Sequence, residues 1–282
     1  MLASPIADDV AKLAGGRVAR TERLHGGDIN DAHLVALADG RELFVKSNTR
    51  APRMMFQREA EGLEWLGAAN ALRVPKVVGI GERVLVLELI RPAERRRDFD
   101  EQLGRGLAAL HLSGAGTYGL ATDNYIGTLP QSNRAHPTWA DFYRDERLTP
   151  LIQRAGDVFS PLDRRIFDRL LERMRPLVGE VDRPSRLHGD LWGGNLLTDE
   201  QGAPVLIDPA AYGGDREIDL AMMQLFGGFS ARVFAAYAEA APLRDGWKER
   251  VKLYQLYPLL VHANLFGGSY VTSAVEAAKT YI

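Results

Sequence analysis

Apolar positions along the first third of the chain change their spacing several times, and each change marks an element. A short helix is predicted from Ser4-Pro5, where Ile6, Val10 and Leu13 share one side and Gly15-Gly16 stops the run; it is placed as a lid on the first lobe. The pattern then turns to strands over Arg17–Leu24, Asp31–Ala38 and Glu42–Ser47, with Asp39-Gly40 as the turn between the last two. Between Met55 and Leu66, the residues Met55, Phe56, Leu63, Trp65 and Leu66 stand among charges, as in a helix with one face against a sheet. Val77–Ile80 and Val84–Leu89 return to strand around the turn Gly81-Glu82-Arg83, and Pro92 ends the ladder because it has no N–H to offer. The rest is helical in pattern, near 98–112, 138–147, 160–178, 216–226, 230–240 and 247–264. The expected architecture is α+β and two-lobed: residues 1–91 form an antiparallel five-stranded sheet with a helix, and residues 92–282 form a mostly helical lobe. No internal repeat or low-complexity linker interrupts it.

One stretch of the helical half does not read as helix. Leu187-His188-Gly189-Asp190-Leu191-Trp192-Gly193-Gly194-Asn195 places an Asn five residues after an Asp. Protein kinases carry H-R-D-x-x-x-x-N in their catalytic loop, where the Asp accepts the proton of the attacking hydroxyl and the Asn holds Mg²⁺. Thirteen residues after Asn195, the apolar run Val205-Leu206-Ile207 delivers Asp208, where kinases have their second Mg²⁺ ligand. Asp190 is therefore the candidate base, and Asn195 and Asp208 are the candidate metal ligands.

Phosphoryl transfer asks for positioning and charge rather than covalent chemistry, so the remaining parts can be sought one by one. Lys46 ends the strand Leu43-Phe44-Val45, from which it can reach the phosphates of ATP; Glu59 on the next helix can hold its ammonium, with Glu61 and Glu64 as nearby alternatives. Gly26 and Gly27, in His25-Gly26-Gly27-Asp28-Ile29-Asn30, let backbone N–H groups approach phosphate, although the segment matches neither established phosphate-loop pattern and is also a good hairpin turn. Glu88, Leu89 and Ile90 join the lobes and can offer a carbonyl and an N–H to an adenine edge. His188 is read as ordering the loop by hydrogen bonding. Asp219, at a predicted helix start, either caps that helix or accepts hydrogen bonds from the catalytic loop.

Composition narrows the setting. Acidic and basic residues nearly balance, at a formal net charge of −2, which argues against a nucleic-acid partner. The absence of cysteine removes disulfides, thiolate metal sites and cysteine nucleophiles. Asp8 and Asp9 near the start, without an apolar run of signal length or a membrane-spanning stretch, make a cytoplasmic location without membrane attachment the default expectation. The charge-rich stretches Glu94–Arg97 and Arg164–Arg175 read as solvated helix faces.

With these residues assembled, the chain resembles the fructosamine (ketosamine-3-kinase) family, within the aminoglycoside phosphotransferase and choline kinase-like group. His188 to Asn195 is similar to that family's H-G-D-L-W-[SG]-G-N, in which Trp192 is the discriminating position. Gly26-Gly27-Asp28-Ile29, Phe44-Val45-Lys46, Met55-Phe56-Gln57-Arg58-Glu59, Gly127-Thr128-Leu129-Pro130-Gln131-Ser132-Asn133, Trp139-Ala140-Asp141-Phe142-Tyr143 and Arg147-Leu148 extend the resemblance over nearly the whole chain. It implies a protein-kinase-like fold and an ATP- and Mg²⁺-dependent kinase that phosphorylates the C3 hydroxyl of a ketosamine in deglycation. It also implies Trp192 as the platform for the sugar. Asp28 departs from the family, many of whose members have cysteine there, so redox control at that position is not available. Two other readings stay open. One is an aminoglycoside or other small-alcohol phosphotransferase, for which Asp215, Glu217 and Asp219 would supply acidity; the other is a non-catalytic nucleotide-binding protein.

Overall fold

The structure is a computed structural model that describes residues 4–24 and 29–282. Helix α1 (Ser4–Ala14) is followed by strands β1 (Val18–Leu24), β2 (Asp31–Leu37) and β3 (Glu42–Ser47). Helix α2 (Met55–Gly67) precedes β4 (Val77–Ile80) and β5 (Val84–Glu88). The five strands form one antiparallel sheet in the order β1-β2-β3-β5-β4, as the period-2 pattern predicts.

Strand alternation decides what each face of this sheet can do. Leu43, Val45, Val84 and Val86 point to one side, where Ile6, Val10 and Ala14 of α1 close a small core. Leu85 and Leu87 point to the other side, where Phe56, Ala60 and Leu63 of α2 cover them and Phe44 joins. Lys46, two residues after Phe44 and opposite Leu85 in the ladder, must share the α2 side.

The helical half begins with α3 (Phe99–Leu112) and the short hairpin of β6 (Asn124–Ile126) and β7 (Leu129–Gln131). Next come α4 (Trp139–Phe142), a π-helical turn over Tyr143–Leu148, α5 (Thr149–Arg154), α6 (Pro161–Glu172) and α7 (Met174–Val178). Two antiparallel ribbons follow, β8 (Ser185–Leu187) with β11 (Tyr212–Gly214) and β9 (Leu196–Thr198) with β10 (Pro204–Leu206). Helices α8 (Glu217–Phe226), α9 (Ala231–Ala240), α10 (Trp247–Phe266) and α11 (Ser269–Lys279) complete the chain.

Three helices differ from expectation. The single helix predicted over 160–178 restarts at Met174, because Pro176 cannot donate to the carbonyl four residues back and its ring crowds that turn. The helix near 138–147 passes into the wider π turn, where Arg147 is turned fully inward. Helix α11 went unforeseen; its buried side is Ala274, Val275, Ala277 and Ala278, mostly small residues.

The second half has two cores. One gathers Trp139, Tyr143, Leu187, Tyr254 and Leu260; the other gathers Leu103 and Leu107 of α3 with Leu191, Leu206, Leu220 and Tyr237. Leu187 and Leu191 are fully buried in different cores, so the loop between them is stretched from one to the other.

Arg147 ties the β6–β7 hairpin to the larger core. Its Nη1 donates to the Ser132 carbonyl at 2.6 Å and Nη2 to Asn133 Oδ1 at 2.7 Å, while the guanidinium lies 3.8 Å from the Tyr212 ring centre. Replacing it with Met removes three charge-assisted hydrogen bonds, the third from Nη1 to the Glu146 carbonyl at 3.1 Å, and is expected to cost about 2–4 kcal/mol, with Lys restoring little because it lacks the planar fork. Urea denaturation checks this; a loss under about 1 kcal/mol contradicts the assignment.

Candidate active site

Lys46, Glu59 and Asp208 meet under the sheet. The Lys46 ammonium donates to Glu59 Oε1 at 2.7 Å and to Asp208 Oδ1. The pairing follows from local structure, since Lys46 shares the α2 side of β3 and Glu59 lies one turn after Phe56 on the sheet-facing side of α2. Glu61 is engaged elsewhere, by Gln57 and Arg58, which settles the choice among the nearby acids. Burial alone lowers the Lys46 pKa, but the Asp208 and Glu59 carboxylates outweigh it and hold the ammonium above the ordinary lysine range. Asp208 itself sits at φ 57, a left-handed conformation that a non-glycine residue adopts only when its surroundings enforce it.

The His188–Asn195 loop is pinned from beneath by Asp219 on α8. Its Oδ2 accepts the N–H of His188 at 2.8 Å, its Oδ1 accepts the N–H of Gly189 at 2.9 Å, and Nε2 of His111 on α3 lies 3.2 Å from Oδ2. Burial opposes the charge on Asp219, yet these donors outweigh it and keep the carboxyl below its ordinary range. Asp219 lies inside the first turn of α8 and caps nothing; of the two readings open in the sequence, the structure favours the loop. His188 completes the brace: Nε2 donates to the Ile207 carbonyl at 2.9 Å and Nδ1 accepts the Asp190 N–H at 3.2 Å. Those partners require the neutral ring, and burial lowers its pKa accordingly. Gly189 takes φ +81 where a Cβ would lie 2.1 Å from the Ala210 carbonyl oxygen, so only glycine fits.

Asp190 and Asn195 are brought together by the same loop. Nδ2 of Asn195 donates to the Asp190 carbonyl at 2.7 Å and to Asp190 Oδ2 at 3.0 Å, with the Asp208 carbonyl at 3.5 Å. Acceptors on the amino side orient the amide and leave Asn195 Oδ1 for another ligand. Asp190 keeps part of its surface in the cleft, but burial first, and then the nearby Asp208 and Asp219 carboxylates, push its pKa up to about 7.

Trp192 is exposed at 43 %, and its indole lies over Gly194, where a Cβ would stand 2.3 Å from the ring. The connector residue Glu88 turns its carboxylate to Arg73 at 2.6 Å and to the Lys76 N–H at 3.1 Å, and Ile90 is buried. Gly26, Gly27 and Asp28 lie outside the described residues. Among the described residues no cluster of three or more His, Cys, Asp or Glu could hold a metal ion. The acids Asp215 and Glu217 are buried and engaged by Arg244 and Arg250, with Tyr254 also on Asp215.

Sequence reasoning left the L-P-Q-x-N segment without a job, and it overlooked His111. The hairpin holds the arm after Asp208: Asn124 Nδ2 donates to the Ala211 carbonyl at 2.9 Å, Gln131 Nε2 to the Ala210 carbonyl at 3.1 Å, and Tyr257 to Gln131. His111, directly after Leu110 on the buried side of α3, is the kind of polar interruption that signals a satisfied network; its Nδ1 is 2.7 Å from the Tyr237 hydroxyl.

A Lys–Glu pair beneath a sheet, an Asp–Asn loop and an Asp on the following arm make up the layout of a phosphotransferase. The fructosamine kinase family model matches residues 5–282. This chain belongs to the fructosamine kinase family. A crystal structure described as a "putative fructosamine-3-kinase" from Thermobifida fusca superimposes with a TM-score of 0.91 at 40 % identity, over 99 % of each chain. The chloroplastic protein-ribulosamine 3-kinase of Oryza sativa subsp. japonica is 36 % identical over 94 % of this chain and 80 % of its own. The Streptococcus pneumoniae choline kinase, at 16 % identity and a TM-score of 0.64 over 99 % of this chain and 98 % of its own, shares the two-lobed kinase-like fold.

The raised Asp190 pKa carries a stability signature. A carboxyl that titrates near 7 when folded and near about 4 when unfolded makes the protein less stable as pH rises between those values. In the nucleotide- and metal-free protein, Asp190→Asn is therefore expected to raise the melting temperature at about pH 8, with the gain fading towards about pH 4. A melting-temperature difference that is flat across that range contradicts it.

Proposed function

We propose that this fructosamine kinase family member is an ATP-dependent kinase that transfers the γ-phosphoryl group to a sugar hydroxyl, the C3 hydroxyl, of a ketosamine. The observation that carries the reading is the convergence of Lys46, Glu59, Asp190, Asn195 and Asp208 in one cleft, together with the Trp192 that the family places beside the base.

In this reading residues 1–91 are the nucleotide-binding lobe and 92–282 the catalytic and acceptor lobe. The carbonyl of Glu88 and the N–H of Ile90, on either side of Leu89, receive the adenine edge, and Gly26 and Gly27 lie along the phosphates. Lys46, kept charged by its two carboxylates, neutralises phosphate oxygens, and Glu59 keeps it in place when Asp208 is drawn to a cation. The carboxylate of Asp208 and the freed Oδ1 of Asn195 are hard oxygen donors, few in number, which suits Mg²⁺ because that ion keeps water and phosphate in its shell. Bound there, Mg²⁺ would neutralise charge developing on the phosphates. Asp190 accepts the proton as the acceptor oxygen bonds to the γ-phosphorus and the bond to the β–γ bridging oxygen breaks, so ADP leaves. His188 and Asp219 aim that carboxylate through the loop backbone. The exposed Trp192 indole offers a face on which the sugar can lie.

The fit to a polyamine acceptor is poorer, since Asp215 and Glu217 already hold arginines. ATP consumption with fructosamines, ribulosamines and erythrulosamines, followed by mapping of the phosphate, tests the assignment; turnover confined to aminoglycosides or choline overturns it. Asp190→Asn is expected to lower kcat by about 10³-fold or more with ATP·Mg²⁺ binding largely retained, and Trp192→Ala to raise KM for the ketosamine more than KM for ATP. Near-normal turnover in Asp190→Asn removes Asp190 as the base.

A further inference from the structure

Arg73, in the segment between α2 and β4, touches both halves of the molecule at once. Its Nη2 donates to Glu88 Oε1 at 2.6 Å, at the end of β5 where the connector begins. Its Nη1 donates to Asp199 Oδ2 and to Glu200 Oε2, both at 2.9 Å, in the turn between β9 and β10. The backbone repeats the link: the Leu206 N–H donates to the Arg73 carbonyl at 2.9 Å, and Arg73 pairs with Val205 in a parallel bridge. Strand β10 leads directly into Asp208.

Neither end of this contact is loose. Asp199 is 4 % exposed, and its Oδ1 accepts the N–H groups of Gln201 and Ala203, both at 2.9 Å, so it is built into its turn. Glu88 accepts the Lys76 N–H through its second oxygen, and its own N–H donates to the Lys76 carbonyl at 2.9 Å. A guanidinium suits such a junction because its fork holds several carboxylates in fixed directions while one compact ammonium cannot.

We propose that Arg73 is a positioning residue that sets the distance between the connector and the strand carrying Asp208. The inference rests on the reading above, in which one nucleotide is held at its adenine end by the connector and at its phosphate end beside Asp208. A ligand gripped at two points gains from their linkage only if the points are spaced to its length. Fixing that spacing before the nucleotide arrives removes a hinge motion that binding would otherwise have to arrest.

The prediction separates spacing from general damage by comparing ligands that use one grip or both. Adenosine reports the connector alone, Mg²⁺-tripolyphosphate reports the phosphate end alone, and ATP·Mg²⁺ spans the two. In calorimetric titrations of the full chain, Arg73→Met is expected to weaken ATP·Mg²⁺ by about tenfold while adenosine and tripolyphosphate stay within about twofold of wild type. Arg73→Lys, which keeps the charge and stem, is expected to show the same pattern at smaller scale and serves if the Met variant folds poorly. Unchanged ATP affinity, or equal weakening of all three ligands, overturns the proposal. If wild type binds ATP but turns over no ketosamine, the acceptor assignment fails and the spacing test stands; if it binds no ATP, both fail.

Discussion

A carboxylate removed from water must be met by donors, and at Asp219 the donors that meet it belong largely to the backbone the chemistry needs. The two N–H groups of His188 and Gly189 converge on its two oxygens, and His111 supplies a further contact from α3. Leaving a buried charge unpaired costs far more than a single hydrogen bond contributes, so the loop is held in one conformation by the demand of a carboxylate buried beneath it. On the loop so held, the Ile207 carbonyl and the Asp190 N–H set the tautomer of His188, and the Asp190 oxygens orient the Asn195 amide. Leu187 and Leu191, buried in separate cores, fix the ends of the same segment.

The cleft also concentrates negative charge. Asp208 adds to the burial that raises the pKa of Glu59 and of Asp190, Asp219 adds to it at Asp190, and the Lys46 ammonium faces Glu59 and Asp208. Such an arrangement is unfavourable by itself, which is visible in the Asp190 pKa raised by burial and by its neighbours. Positive charge relieves it, as the Lys46 ammonium does for Glu59 and Asp208. The left-handed backbone of Asp208 belongs to the same economy, since the hairpin contacts on Ala210 and Ala211 hold the arm that enforces it.

Much of this was legible in the residues, and the pattern of success is physical. The middle of the sheet could be read because β2 alternates buried and half-buried positions and β5 is an unbroken apolar run; β3 was placed to the residue and carried Lys46 with it. That Asp190, Asn195 and Asp208 lie together was legible because their residue types stand at the spacings of a known motif. The partners that act across the chain were not: Arg73 to Asp199 and His111 to Asp219 join residues more than a hundred positions apart, and local spacing carries no trace of them. Whether Asp219 served a helix or a loop depended on where α8 begins, and the fates of Asp215 and Glu217 depended on arginines of a distant turn and helix.

Trp192 and Gly194 are coupled through their contact. The indole occupies the space a side chain at position 194 would need, so the two positions are not free to vary separately. While tryptophan stands at 192, any larger residue at 194 must displace it; once tryptophan is lost, 194 is released and can fill the gap, after which tryptophan cannot easily return. The glycine before the asparagine is thus the condition for the indole to lie where it does, and a side chain added at one position is felt at once at the other.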